Sequence, residues 1–576
     1  MGLSFFFSKH QVDRSQQSID SQQNLKSELL SFTAPQLKTH LLAFSLSLAY
    51  LVYLVVTSAR IGIPRDESIY FYAADRFVDW FVQIPKLGWS VFSEETIYDG
   101  FKVNHEHPML MKMLFGLSHH YLHVKWSLIS DPILAYRLPT MLLGGATVYL
   151  TSLLGSCLGG LWLGLSSALF LIGMPRLFFH AHLACFDLPV TAMWLFIALA
   201  YFWAWFDQKW ILGSGVALGL GLATKLNAFF APFSLLLLSI YHLVQIKDRK
   251  QKTRWFKHYA MVALSMIILG LAVFWLHWPW LYDQTWSRLV EYISFHARHV
   301  HYPVDYLGTL YHGPPFPIHF PFVFTLFTIP VAVLILGIIG IFKLIHLSWQ
   351  RWQTRNTSLP IELFILINLM APILIIALPN TPIFGGTKHW MPSMPFLAIT
   401  AAWALLNIMK HINLVKNRMI TGLTIIALVA PGLWLTHEYG AHGPAWYNSI
   451  AGGAPGAAEM RMPRNFWGYS SIEMLPWLNQ RDKSSKAVFW HNATGLAVHH
   501  YKKAHWLDRN IQSTGDWTYP YADWALYHHQ QEKLPEEVDL WWRYGTPLPV
   551  EGFFIESVQQ VGVYGSVQAR EQLEQP

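Results

Sequence analysis

Eleven apolar runs of roughly membrane-spanning length follow one another between residues 41 and 437. They fall at 41–60, 137–155, 159–176, 188–206, 211–223, 226–246, 258–279, 322–345, 360–378, 391–409 and 419–437. A helix needs about 20 residues to cross a bilayer core. In lipid, only helices and closed barrels satisfy every backbone N–H and C=O. The expected fold is therefore an all-α polytopic membrane protein of about 11 transmembrane helices. The fifth run is short, and its division from the sixth falls at Thr224-Lys225. The stretch 108–122 is apolar but short and ends in histidines, which predicts an interfacial helix.

Composition agrees. Charged residues make up only 13% of the 576 residues, against roughly 25% in a soluble domain. Aromatics reach 15%, which suits rings anchored at membrane interfaces. The formal charge of +7 belongs to cytoplasmic loops, since no compact basic domain suggests nucleic acid. The two cysteines, Cys157 and Cys185, fall at opposite faces in this topology and so do not pair.

Loop charges set the orientation. Residues 1–40 read as a polar cytoplasmic tail, without a signal-peptide pattern. With that end inside, Lys247, Arg249, Lys250, Lys252, Arg254 and Lys257 share one inner loop. Arg351 and Arg355 lie in the next, and Lys410, Lys416 and Arg418 in the last. Positive residues thus gather on the cytoplasmic side, as membrane insertion favours. An odd number of spans places everything after 438 outside.

The outer face then collects the chemistry. Its first loop holds Asp66-Glu67 and the turn Glu106-His107-Pro108 with Lys112. The second holds Arg176, His180, His182 and Asp187, and Lys225 lies at a sharp outer turn. A long fourth loop, 280–321, contains His299 and His319, and a short fifth contains Lys388. Singly, each reads as a snorkelling or helix-capping side chain. Together they suggest a catalytic chamber. No Walker loop, HExxH or serine elbow is present. A carboxylate base with scattered cations suits group transfer from a lipid-linked phosphate. The base would deprotonate an acceptor hydroxyl, and the cations would stabilise the departing phosphate.

The order RDESIYFYAADR, EHPMLMK, YRLPTMLLGG, HAHLACFDLPVTAMW, GLATKLNAFF, HWPWLYDQTWSRLVEY and GGTKHWMPSMPFLA resembles the GT-C membrane glycosyltransferases. It is most similar to bacterial members of glycosyltransferase family 39, which include protein O-mannosyltransferases and the aminoarabinose transferase acting on lipid A. The resemblance implies inverting transfer from a polyprenyl-phosphate sugar donor at the non-cytoplasmic face, with lipid, glycan or protein as acceptor. It also implies that Asp66 is the base, with Glu67 as support or alternative. Glu106, His107, Lys112, Asp187, Lys225, His299, His319 and Lys388 would bind substrate. Lys112 matches the cation of the family's HPPLGK-like turn, although this chain has Met109 and Met111 there. Some relatives hold a metal with His and Glu of these loops. Glu106, His107 and a fourth-loop histidine are the corresponding groups for a divalent ion, and no metal site is assigned.

From 438 to 576 the composition turns to Gly, Trp, Tyr and paired histidines, which predicts a small outer α/β domain. KAVFWH and VEGFFIESVQ read as strands, EMLPWLNQRD as a helix, and the pairs His499-His500 and His528-His529 as surface residues. The domain organisation is thus a tail over 1–40, a membrane catalytic domain over 41–437 and an outer domain over 438–576. A transporter or flippase of a lipid-linked or small anionic solute is the rival class. It predicts charge at the bilayer midplane and internal repeats, whereas the charges here gather on one face.

Overall fold

The computed structural model describes residues 32–481, 487–491, 493–514 and 521–574. Most of the tail expected over 1–40 lies outside these residues. From residue 37 the chain is helical at every apolar run. The first span, α1 (Leu37–Thr57), leads into α2 (Arg65–Val82), which begins beyond Pro64. Then come α3 (Leu110–Ser118), α4 (Pro132–Gly159), α5 (Leu161–Ile172), α6 (Pro175–His182), α7 (Asp187–Ala204) and α8 (Lys209–Thr224). They are followed by α9 (Ala231–Gln245), α10 (Arg249–Ser265), α11 (Thr285–Ala297), α12 (Val331–Thr354), α13 (Ile361–Ile376), α14 (Met394–His411) and α15 (Arg418–Tyr439).

Among the described residues, eight helices are long and apolar enough to cross a membrane, or nine if the bent pair α5 and α6 is one span. The helices α8 and α13 are apolar but shorter, and they occupy the two remaining expected positions. Local chemistry sets several ends. Asp131 caps α4 by accepting from the Ile133 N–H at 2.9 Å, with Pro132 in the first turn. Gly160, at φ 80°, ends that helix in a conformation that costs other residues strain. Pro175 lacks the N–H that would carry α5 onward, so α6 turns away by 75°. The eighth expected span, 322–345, is instead divided at Pro330 between a short helix, Phe320–Thr328, and α12. The seventh begins earlier than the apolar run predicts, because Asp248 caps α10 through the Gln251 N–H at 2.7 Å.

In the long loop over 280–321, β1 (Val304–Tyr306) and β2 (Thr309–Tyr311) form a hairpin. The C-terminal part carries β3 (Ala487–Trp490), β4 (Gln512–Ser513), β5 (Trp524–His528), β6 (Glu551–Ile555) and β7 (Val558–Gly565). They form one mixed sheet in the order β4-β3-β5-β7-β6, with β3 parallel to β4 and β5, and β7 antiparallel to β5 and β6. This is the small α/β unit expected, though VEGFFIESVQ is a hairpin and not one strand. The paired histidines correct the surface expectation. Only His499 is exposed, while His500, His528 and His529 are buried: His500, on a short helix, packs against Phe71, and His528 ends the buried strand β5.

The C-terminal part touches the segment between α1 and α2 directly. The Arg65 N–H donates to the Trp467 carbonyl at 2.9 Å, and the Ile63 N–H donates to the Tyr501 hydroxyl at 2.8 Å. Gly62 is required here, since a Cβ on it would lie 1.8 Å from the Tyr469 carbonyl oxygen. The start of α2 is therefore clamped from above.

Candidate active site

Asp66 and Glu67 are adjacent in sequence and opposite in circumstance. Both lie in the first turn of α2, where the helix dipole favours negative charge. One residue along a helix turns the side chain by about 100°, so the two carboxylates face different surroundings. Glu67 is fully buried and accepts from Arg137 Nε at 2.9 Å and Nη2 at 2.7 Å. It also accepts from the Ala184 N–H at 2.7 Å. Arg137, itself 0% exposed, spends its other protons on the carbonyls of Ser58, Ile61 and Gly62. This pair fastens the first outer loop to α4 and to the loop before α7.

Asp66 is half-buried and makes no hydrogen bond or ion pair with any described residue. Burial pushes its carboxyl above the usual carboxylate range. Lys388 pulls it back most, Asp187 pushes it further up, and Arg65 and Lys225 oppose. A raised carboxyl pKa brings a base closer to neutral pH, where proton transfer is efficient.

Lys112, Lys225 and Lys388, all expected to bind substrate, have different surroundings. Lys112 is 0% exposed, and its ammonium donates to the Asn104 carbonyl at 2.5 Å, Asn104 Oδ1 at 3.1 Å and the His107 carbonyl at 2.9 Å. All three of its protons are committed to the turn over 104–107. Burial draws its pKa down to about 7, with Glu106 opposing. Lys225 pairs with Asp187 at 2.7 Å, and the other Asp187 oxygen lies 3.4 Å from His180 Nδ1. Lys388 has neither carboxylate nor hydrogen-bond partner among the described residues. It sits instead over three rings, with its nitrogen 4.8 Å from the Phe384 centroid, 4.5 Å from Phe466 and 4.2 Å from Trp467. Burial lowers its pKa, while Asp66 and Asp187 hold it up.

The remaining expected residues divide. Glu106 accepts from Asn104 at 2.7 Å. The His107 ring lies 5.5 Å from His296 and 5.3 Å from Phe186. Burial first, then Lys112 and His296, keep His107 well below its usual pKa, so it is neutral. His299 stacks at 5.5 Å on Phe384, the ring that also faces Lys388. His319 is placed elsewhere, bonded at 2.7 Å to the Tyr306 hydroxyl at the hairpin. Among the described residues, no group of three or more His, Cys, Asp or Glu is arranged to hold a metal ion.

Sequence reasoning missed three participants. Tyr70 lies one turn after Asp66 on α2, where Asp66, Cys185, Asp187 and Glu106 all bear on its hydroxyl after burial, holding its pKa well above the usual value. Its i+4 spacing from Asp66 was a usable signal. Phe466 and Trp467 reach the site from the C-terminal part, and nothing in their local sequence announces this.

The arrangement is a half-open carboxylate beside an unpaired ammonium held on aromatic faces, with a Lys225–Asp187 pair alongside. Asp66 and Lys388 are near enough to act on each other's charge.

Comparison with known proteins gives one family match. Residues 99–282 match the profile of the dolichyl-phosphate-mannose-protein mannosyltransferase family. That range contains Glu106, His107, Lys112, Asp187 and Lys225, while Asp66 and Lys388 lie outside it. No curated protein sequence matches the chain. Among solved structures, ArnT from Cupriavidus metallidurans in the apo state superposes with a TM-score of 0.47 at 14% identity, over 91% of this chain and 97% of that one. The same protein bound to undecaprenyl phosphate gives 0.45 at 13%, over 90% and 97%. The Archaeoglobus fulgidus oligosaccharyltransferase in its apo form gives 0.45 at 12%, over 85% and 69%. The family match thus makes residues 99–282, about a third of the chain, similar to the dolichyl-phosphate-mannose-protein mannosyltransferases.

Proposed function

We propose that this protein is a membrane glycosyltransferase that moves a sugar from a polyprenyl-phosphate donor to an acceptor hydroxyl at the non-cytoplasmic face. The family match supports the reaction class, and the basic inner loops support the sidedness. The observation that carries the site is the contrast between Asp66 and Glu67: one carboxylate is free beside a free ammonium, the other is locked to Arg137. Asp66 is the general base, and Glu67 positions the loop that presents it.

In the reaction, Asp66 takes the acceptor's hydroxyl proton as that oxygen attacks the anomeric carbon from the face opposite the phosphate. The new C–O bond forms as the sugar–phosphate C–O bond breaks, so the configuration inverts in one displacement. The leaving group is a phosphate monoester on the polyprenyl chain. Lys388 meets its growing charge on a desolvated aromatic floor, where an ion pair is worth more than in water. Lys225 assists from its pairing with Asp187. Lys112 acts through the turn it binds, because its protons are all occupied.

The test is release of polyprenyl phosphate from a polyprenyl-phosphate sugar by the purified protein supplied with membranes as acceptor source. Asp66→Asn should stop release while leaving donor binding intact. Undiminished release by a folded Asp66→Asn protein overturns the assignment.

A further inference from the structure

Among the described residues, Arg176 is a buried guanidinium bonded to one carbonyl and to the Tyr447 hydroxyl. It is 6% exposed, donates from Nη2 to the Trp446 carbonyl at 3.1 Å, and leaves its Nε without a partner. The rings of Phe324 and Tyr447 lie 4.8 and 5.0 Å from its central carbon. No carboxylate of the described residues forms an ion pair with it. An unpaired buried charge is costly, which makes a binding role worth seeking at such a position.

Arg176 lines a cavity of about 50 Å³ together with Asp305, Asn465, Phe384, Phe466 and Glu532. One water needs about 10–15 Å³ of such space, so the cavity holds a few waters' worth, enough for a small headgroup. Tyr302, 45% exposed, marks its way to the surface. Two acids face the cavity. Asp305 is held by Arg461, with both contacts at 3.0 Å. Glu532 has no such partner, and burial pushes its carboxyl up to about 7.

Phe384 and Phe466 line this cavity and also carry Lys388 on their faces. Lys388 itself does not line the cavity, so the two rings are shared between the proposed donor site and the cavity of Arg176. We propose that the Arg176 cavity is a separate oxyanion subsite that binds the phosphate or carboxylate headgroup of the second substrate. The oxyanion part follows from the unpartnered Nε of a buried guanidinium that no described carboxylate pairs, and from its cavity. The assignment to the second substrate rests on the glycosyltransferase reading.

The experiment uses the full-length protein in lipid nanodiscs and inorganic phosphate as the probe, titrated with saturating polyprenyl phosphate present. Binding of polyprenyl phosphate is measured separately. Arg176→Gln should weaken inorganic phosphate by about tenfold or more, the scale of one lost charge-assisted hydrogen bond, and leave polyprenyl phosphate within about twofold. Glu532→Gln removes the opposing acid and should tighten phosphate several-fold, a gain that a damaged fold does not produce. Unchanged phosphate binding in Arg176→Gln, no gain in Glu532→Gln, or direct competition between phosphate and polyprenyl phosphate overturns the proposal. Failure of polyprenyl phosphate to bind at all refutes the donor reading instead, and phosphate binding at Arg176 is then measured without it.

Discussion

Replacing Glu67 by Gln should damage the fold more than the chemistry. The carboxylate is 0% exposed and receives two bonds from Arg137 at 2.7 and 2.9 Å, plus the Ala184 N–H at 2.7 Å. The substitution leaves Arg137, equally buried, without a counter-charge. Breaking one partner of a buried ion pair costs about 3–5 kcal/mol. The amide oxygen still accepts one or two of the bonds, and Arg137 keeps its bonds to Ser58, Ile61 and Gly62, so the expected loss lies near the lower end, about 3 kcal/mol. The assay is reversible denaturant unfolding in mixed micelles, alongside turnover measured at a temperature where the variant stays folded. The companion variant Arg137→Met, combined with Glu67→Gln, should recover part of the loss, because the isolated charge disappears with the arginine. Wild-type stability in Glu67→Gln refutes the argument. So does full stability accompanied by a loss of turnover as large as that of Asp66→Asn, since Glu67 would then be doing chemistry.

Asp66→Asn should lower turnover by about 10²–10⁴, the usual worth of a general base, as measured by polyprenyl phosphate release. The same change should raise thermal stability at neutral pH. The folded pKa of Asp66 lies above its unfolded value, so its contribution is complete below the ordinary carboxylate range and is lost as pH rises through the raised value. Asparagine keeps the neutral form at every pH, and a melting series against pH reads the difference. Lys388→Gln should weaken polyprenyl-phosphate binding by about tenfold or more, whereas Lys112→Gln should lower stability and disorder the turn over 104–107, read by proteolysis, with less effect on donor binding. A periplasmic-type reporter fused after Pro576 should be active only outside the cytoplasm, and one inserted at Lys250 only inside.

The apolar runs announced helices well because lipid leaves the backbone few alternatives. Their breaks were less legible. Pro330 divides one expected span and Pro175 bends another by 75°, and whether a proline kinks, starts or ends a helix depends on what packs beside it. Asp66, Asp187, Lys225 and Lys388 were visible as charges gathered on one face. Which of them would be paired was not, since Lys225 meets Asp187 and Glu67 meets Arg137 across distant stretches of chain. Lys112 illustrates the same limit. A lysine after a His-Pro turn reads as a headgroup ligand, and only the three-dimensional path of 104–107 brings three oxygens around its ammonium. The aromatic floor beneath Lys388 depends on Phe466 and Trp467, far from it in sequence and unremarkable in composition.

The contact between the first outer loop and the C-terminal part has a consequence for biogenesis. Asp66 is made early, but the carbonyl of Trp467 that receives the Arg65 N–H, the Tyr501 hydroxyl over Ile63 and the two rings under Lys388 emerge only after the last span has been threaded into the membrane. During synthesis the nascent chain therefore carries its carboxylate without the surroundings that tune it, and a prematurely terminated polypeptide keeps its helices but never gains the chamber. The order of translation acts as a safeguard. On the proposed reading, sugar transfer begins only once nearly the whole chain has been made.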